Sequence, residues 1–205
     1  MIIWIMLKVN LGSGPDGLNS WDNLDWGMLP LLSKLGPIRR LLAGVGVLPK
    51  SYLIDWPKIK LVDIRKRLPY PDSSVDVVYC SHVLEHFYRF ETENILKEVK
   101  RIIKKDGVVR IVLPDLEKIK KNETGSEGFN RKYLGYEADK DWGWRRRFIR
   151  EHRWMYDFKS LAEILSKAGL KKIKKSQWRK GECPDIDKLD LSSHQDHSFY
   201  VEAKK

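Results

Sequence analysis

Cysteine is scarce in this chain. Cys80 and Cys183 are the only two among 205 residues, and neither belongs to a C-x-x-C pair. A disulfide framework and a cysteine-rich metal knot are thereby excluded, and a reducing, cytoplasmic compartment is expected. Long apolar runs are missing as well. The opening stretch, MIIWIML, is seven residues long, too short for a membrane span. It has no basic lead and no small-residue cleavage site behind it, so it reads as the entry to a buried strand rather than a signal peptide. No internal repeat is visible.

What is present is apolar residue content of 42%, with eight tryptophans. That is enough to bury a full core, so one domain over 1–205 is expected. The net charge of +11 is unevenly spread. Between Lys97 and Lys180 there are 25 Lys/Arg against 12 Asp/Glu, and elsewhere 14 against 16. Such a stretch suits either a solvated lysine-rich surface or a polyanionic partner such as RNA.

Along the chain, seven strand-like segments can be read: IMLKVNL, SWDNLDW, KIKLVDI, VDVVYC, VVRIVLP, KKIKKSQW and HSFYVEA. Apolar residues at Ile95, Leu96, Val99, Ile102 and Ile103 have a helical period, and Asp106-Gly107 reads as the stop. SLAEILSKAGL is a second amphipathic helix, closed by Gly169. Residues 27–57 contain Pro30, Pro37, Pro49 and Pro57, which predicts short helical turns in a flap. Residues 117–158 read as an irregular basic segment. Strands alternating with helices or crossovers, ending in β-β, predict an α/β fold with a mostly parallel sheet and an antiparallel last strand. In such sheets ligands sit at the carboxyl ends of the strands.

The first strand runs into Gly12, Gly14 and Gly17 in G-x-G-x-x-G spacing. A dinucleotide loop would need a helix to follow at once. Here the next strand ends at Asp25, leaving no room for one, and Pro15 removes an N–H from the turn. A ligand touched by bare backbone and then by a carboxylate fits better than a pyrophosphate. Residues 81–87, SHVLEHF, contain His82, Glu85 and His86 in the H-x-x-E-H pattern of one zinc-protease class. That chemistry needs both histidines on one helix face. His82 falls at the strand-to-helix turn, so no metal is assigned.

The ordered blocks VNLGSGPDG, the acid Asp25, Asp63 before LPYPDSSVDVVYCSHVLEH, LKEVKRIIKKDGVVRIVLPDL and HRWMYDFKSLAEILSKAGL resemble the class I S-adenosylmethionine-dependent methyltransferases, type 11 branch. The resemblance implies a Rossmann-like, seven-stranded sheet with helices on both faces, and S-adenosylmethionine as cofactor. It assigns Asn10, Leu11, Gly12, Ser13 and Gly14 to the methionine side of the cofactor. Asp25 is assigned to the ribose hydroxyls, Asp63 and Ile64 to the adenine, and Ser81 and His82 to the end of the fourth strand beside it. The chain departs from the family pattern in three ways. Asn10 replaces an acid, the glycines are spaced one residue wider, and Asp25 comes early.

His86 and His152 are candidate bases, since an imidazole suits removal of a hydroxyl or amine proton. Residues 140–158 interleave aromatics with arginines, and Trp144, Arg147 and Tyr156 are candidate substrate contacts. The acceptor read from the sequence is a small molecule or saccharide. RNA, reached through the basic segment, is the alternative within the same chemistry. A non-catalytic cofactor-binding partner subunit and the zinc protease are the alternatives outside it. Oligomeric state is not written in the sequence.

Overall fold

The computed structural model describes residues 6–48, 53–122 and 152–205. Its strands are β1 (Lys8–Leu11), β2 (Asp22–Asp25), β3 (Ile59–Leu61), β4 (Val75–Ser81), β5 (Ile103–Pro114), β6 (Lys171–Ser176) and β7 (Ser198–Lys204). They form one sheet in the order β3-β2-β1-β4-β5-β7-β6. All neighbouring pairs from β3 to β5 are parallel, and β7 runs antiparallel to both β5 and β6. The seven expected strands are therefore all present, and the antiparallel one is β7.

Two faces of the sheet carry two cores, and the period-2 alternation of strands decides which side chain joins which. From β4 and β5, Val78, Cys80, Val109, Ile111 and Leu113 face the larger core. There they meet α3 (Arg89–Ile102) and α5 (Phe158–Lys167). Helix α3 contributes Ile95, Leu96, Val99 and Ile102, the apolar stripe expected from its period. Helix α5 begins at Asp157, whose carboxylate accepts the Ser160 N–H at 2.7 Å. It ends at Gly169, with φ at 86°. Val77, Tyr79 and Val112 face the other way and pack with Trp21, Cys183 and Leu189. Leu189 lies on α6 (Ile186–Leu189).

Two expectations need correcting. Helix α3 stops at Ile102 because Ile103 turns extended, at φ −68° and ψ 139°. Asp106-Gly107 is therefore not the helix stop but part of β5, in a stretch where the register against β4 shifts. Within the segment read as irregular, Leu116–Asn122 forms a helix, α4. Residues 123–151 lie outside the described residues, and with them Trp144 and Arg147.

The flap holds two short helices, α1 (Met28–Ser33) and α2 (Gly36–Gly44), as its prolines require. The crossover from β1 to β2 has only a 3-10 turn, Gly14–Asp16. Four lysines of the basic stretch, Lys171, Lys172, Lys174 and Lys175, sit on β6 at the sheet edge. Charged lysines on an edge strand hinder pairing with a second chain. That accounts physically for part of the charge excess. No described helix is long and apolar enough to cross a membrane.

Candidate active site at the strand tips

The carboxyl ends of β1, β2, β3 and β4 lie side by side, and the loop after β1 is tied to its neighbour. Gly12 N–H and Ser13 N–H both donate to the Leu24 carbonyl, at 2.7 and 3.2 Å. Gly14 N–H donates to Asp25 Oδ2 at 3.0 Å, and Trp26 N–H to Oδ1 at 2.7 Å. Gly12 and Gly14 have φ of 64° and 55°, left-handed backbone that glycine adopts at no steric cost. A Cβ on Gly12 would lie 2.4 Å from Val83 Cγ2, whereas one on Gly14 would meet nothing within 4 Å. The loop is thus packed hard on one side and open on the other. Asn10 is buried, with its amide 3.4 Å from Asn23 Oδ1, and Leu11 is buried in the larger core.

Beyond β3, Asp63 is clasped by Arg65 through Nε at 2.9 Å and Nη2 at 2.8 Å. That hydrogen bonding holds its carboxyl below the usual range. Arg65 also reaches Glu91 at 3.5 Å. The Ile64 side chain packs into the larger core, so only its backbone remains for a ligand. Ser81 is the last residue of β4. His82 follows with φ of 52°, its Nε2 2.8 Å from Ser198 Oγ and its ring 3.8 Å from that of His194. Burial pushes His82 down to about 4, so its ring is neutral at pH 7.

A second group lies just past β4. Glu85 is 1% exposed, and neither carboxylate oxygen has a hydrogen-bond partner. His82 Nδ1 lies 3.3 Å from Oε1 and His152 Nε2 3.9 Å from it. The His86 and His152 rings are 5.1 Å apart. Glu85, His86 and His152 bring one donor atom each within 4.8 Å of one another. The backbone enforces this approach, since Arg153 N–H and Trp154 N–H donate to the Glu85 carbonyl at 2.7 and 3.1 Å. Burial raises the Glu85 carboxyl and, with His86 adding to it against Glu85, lowers His152 to about 4. The two candidate bases are therefore neighbours.

Tyr156, expected on a substrate wall, is placed differently. It is 1% exposed, lies in the larger core and donates its hydroxyl to Thr92 Oγ1 at 3.1 Å. Sequence reading also passed over Glu85 as a member of the site, Arg65, and a buried pairing of Arg110 with Asp190 and Glu202 at 2.5 and 3.1 Å. The signal for Arg110 was a lone charge inside the apolar run VVRIVLP.

Residues 47–111, about a third of the chain, match the model of a methyltransferase domain family. Solved structures share the fold over nearly the whole chain. A methyltransferase from Archaeoglobus fulgidus aligns with a TM-score of 0.55 at 14% identity, over 98% of this chain and 86% of that one. A possible histamine N-methyltransferase from Thermotoga maritima gives 0.51 at 18%, over 97% and 82%. A methyltransferase in complex with the Trm112 activator, from Haloferax volcanii, gives 0.54 at 14%, over 97% and 81%. At these identities the likeness is one of fold.

The sheet order and the glycine loop at the β1 tip give this chain the Rossmann-like fold of these methyltransferases, and its residues 47–111 match a methyltransferase domain. S-adenosylmethionine is the cofactor named for the Archaeoglobus fulgidus neighbour, and the residues at the tips suit that group. Gly14 leaves open space above the loop. Asp25 accepts the Gly14 N–H on one oxygen and the Trp26 N–H on the other, which fixes the carboxylate against the loop.

Proposed function

We propose that the enzyme binds S-adenosylmethionine across the tips of β1, β2 and β3 and methylates a small-molecule or saccharide acceptor presented near His86 and His152. Asn10, Leu11, Gly12, Ser13 and Gly14 give backbone to the methionine part. Asp25 takes the ribose hydroxyls, Asp63 and the Ile64 backbone the adenine, and Ser81 and His82 close the side next to β4. The observation that carries this reading is the Asp25 carboxylate. It is fixed on the Gly14 N–H, so the acid at one tip and the glycine backbone at the next are held as one surface.

The bound cofactor supplies a methyl group on a sulfonium, an electrophile that needs no further activation. The residues of the chain orient and exclude water, and alignment of two bound reactants alone is worth roughly 7–11 kcal/mol of barrier. His86 or His152 can accept the proton of an oxygen acceptor, because a neutral imidazole is the basic form. Part of the basic excess lies away from the proposed site, while Arg145, Arg146, Arg147 and Arg150, on which the RNA reading rests, lie outside the described residues. The lysines of β6 are at the sheet edge opposite β3, at the far side from the proposed cofactor site.

Calorimetry with S-adenosylmethionine, S-adenosylhomocysteine and NAD tests the binding half. Saturable binding of the first two is expected. Asp25→Asn should weaken both about 10- to 100-fold, the worth of one charge-assisted hydrogen bond. Binding of NAD alone, or an Asp25→Asn variant of undiminished affinity, would overturn the assignment. An RNA acceptor would instead show affinity falling steeply with salt.

One observation supports a partner subunit as an addition to catalysis. Leu31, Leu35, Ile38, Leu41 and Val45 are large, apolar and exposed along the flap, and contiguous apolar surface of this kind marks interaction faces. The Haloferax volcanii neighbour is itself described in complex with an activator. Light scattering on the purified chain distinguishes a lone monomer from an assembly that covers this face.

A further inference from the structure

We infer that Glu85, His86 and His152 form a binding site for one divalent transition-metal ion. Three observations carry it. First, the donors converge from distant parts of the chain, Glu85 and His86 from the turn after β4 and His152 from the run before α5. The convergence is built into the backbone through the two N–H donations onto the Glu85 carbonyl. Second, Glu85 is buried with both oxygens lacking a hydrogen-bond donor, and His152 Nδ1 is likewise buried and unpartnered. Folded proteins avoid a buried carboxylate without donors unless a partner charge or a metal meets it. Third, the spacing is nearly right. Two ligands on one ion at about 2.1 Å can be at most about 4.2 Å apart, and the three donor atoms already lie within 4.8 Å of one another.

The donor set selects the ion. Two imidazoles and one carboxylate suit Zn²⁺, Fe²⁺, Co²⁺ or Mn²⁺ and disfavour Mg²⁺ and Ca²⁺, which want oxygen. This is not the protease arrangement. His82, the first histidine of H-x-x-E-H, is not a ligand here. It stands beside Glu85 Oε1 at 3.3 Å, with its other nitrogen on Ser198, where it would orient the carboxylate from the outer shell. His152 replaces it as the third ligand. Among the described residues three side chains converge on the ion, and Val83, two residues before Glu85, packs on the Gly12 loop. The ion would therefore face the cofactor side of the mouth and hold an acceptor through a hydroxyl oxygen, lowering the pKa of that hydroxyl, so that with metal bound neither His86 nor His152 serves as the base. This role rests on the methyltransferase reading, whereas metal binding does not.

The test uses the full chain, stripped with chelator and dialysed. Co²⁺ is titrated in and followed by its visible d–d absorption, and Zn²⁺ binding is measured by calorimetry. One equivalent should bind. His86→Ala and His152→Ala should each lose at least about 10-fold in affinity, at the low end of what even outer-shell changes cost. His194→Ala, outside the cluster, should leave it unchanged. Glu85→Gln is near-isosteric and must also lose the ion. It decides the matter if either histidine variant melts below the wild type. Absence of saturable Co²⁺ binding, or equal binding by wild type and Glu85→Gln, overturns the site.

For the role, the stripped enzyme should keep its affinity for S-adenosylhomocysteine yet lose methyl transfer, with Zn²⁺ or Mn²⁺ restoring it. Transfer that survives stripping overturns the role. Failure to bind S-adenosylhomocysteine with or without metal overturns the methyltransferase reading and leaves the Co²⁺ spectrum to judge the site.

Discussion

Alanine at Gly12 tests how the glycine loop is held, and the structure separates its cost into two parts. The backbone there has φ of 64°, and forcing an L side chain into left-handed conformation costs about 1–2 kcal/mol. The new Cβ would also lie 2.4 Å from Val83 Cγ2 and 2.8 Å from Cγ1. Val83 is 4% exposed, so it has little room to yield, and such overpacking costs about 1–3 kcal/mol. Gly12→Ala should thus destabilise by about 2–5 kcal/mol, or roughly 2–4 °C of melting temperature per kcal/mol at this size. Val83→Ala alone should cost about 1.5–3 kcal/mol in lost burial. In the double variant the overlap is gone and only the backbone cost stays, so its loss should fall short of the sum by about 1–3 kcal/mol. Urea unfolding of the four proteins measures that shortfall. Calorimetry with S-adenosylhomocysteine on the same set asks whether the loop shape or only the fold is damaged. Strict additivity, or a Gly12→Ala protein within about 0.5 kcal/mol of wild type, would refute the close approach of Val83 to this loop.

Other outcomes follow from buried and capping charges. Arg110→Ala leaves Asp190 and Glu202 in the core without their cation, and breaking a buried pair costs about 3–5 kcal/mol. The low end is expected in chemical denaturation, because Tyr79 O–H still donates to Asp190 and two backbone N–H groups to Glu202. Replacing Asp157 by Ala removes the cap of α5 and should cost about 1 kcal/mol near neutral pH. Donation from the Ser160 N–H holds the Asp157 carboxyl below its ordinary value. Its contribution is therefore present above the unfolded value and lost as pH falls through the folded one. The gap between wild type and Asp157→Ala should close in acid; a gap that stays constant to low pH would show that the cap does not act through its charge.

Much of the fold could be read because it is local. Each strand announced itself by β-branched or alternating residues, and α3 and α5 by an apolar period and, for α5, Gly169. Helix α4 was missed because LEKIKKN alternates charge with few apolar residues, so nothing periodic stands out. Asp106-Gly107 misled for a different reason. A turn pair usually ends a helix, but here Gly107 is needed inside a strand, where a Cβ would meet Ile103 Cγ1 at 2.7 Å and the Asp76 carbonyl at 2.8 Å. The proposed cofactor tips were legible because Asp25 closes β2 and Asp63 follows β3 by two residues. The partner of Glu85 was not, since His152 lies far along the chain and no spacing rule joins them.

The H-x-x-E-H stretch shows why spacing without backbone is ambiguous. Four residues apart means one face only if the residues between are helical. His82 has φ of 52°, which ends β4 and breaks the helical path at its first member, and the helical turn is confined to Leu84–His86. The two rings therefore part company. His82 turns to Ser198 and His194, and His86 to His152. Glu85 stays between them, buried, with a histidine on either side. A single left-handed residue at a strand end thus dismantles one metal motif and, by releasing His86 toward the run before α5, assembles the donors of another.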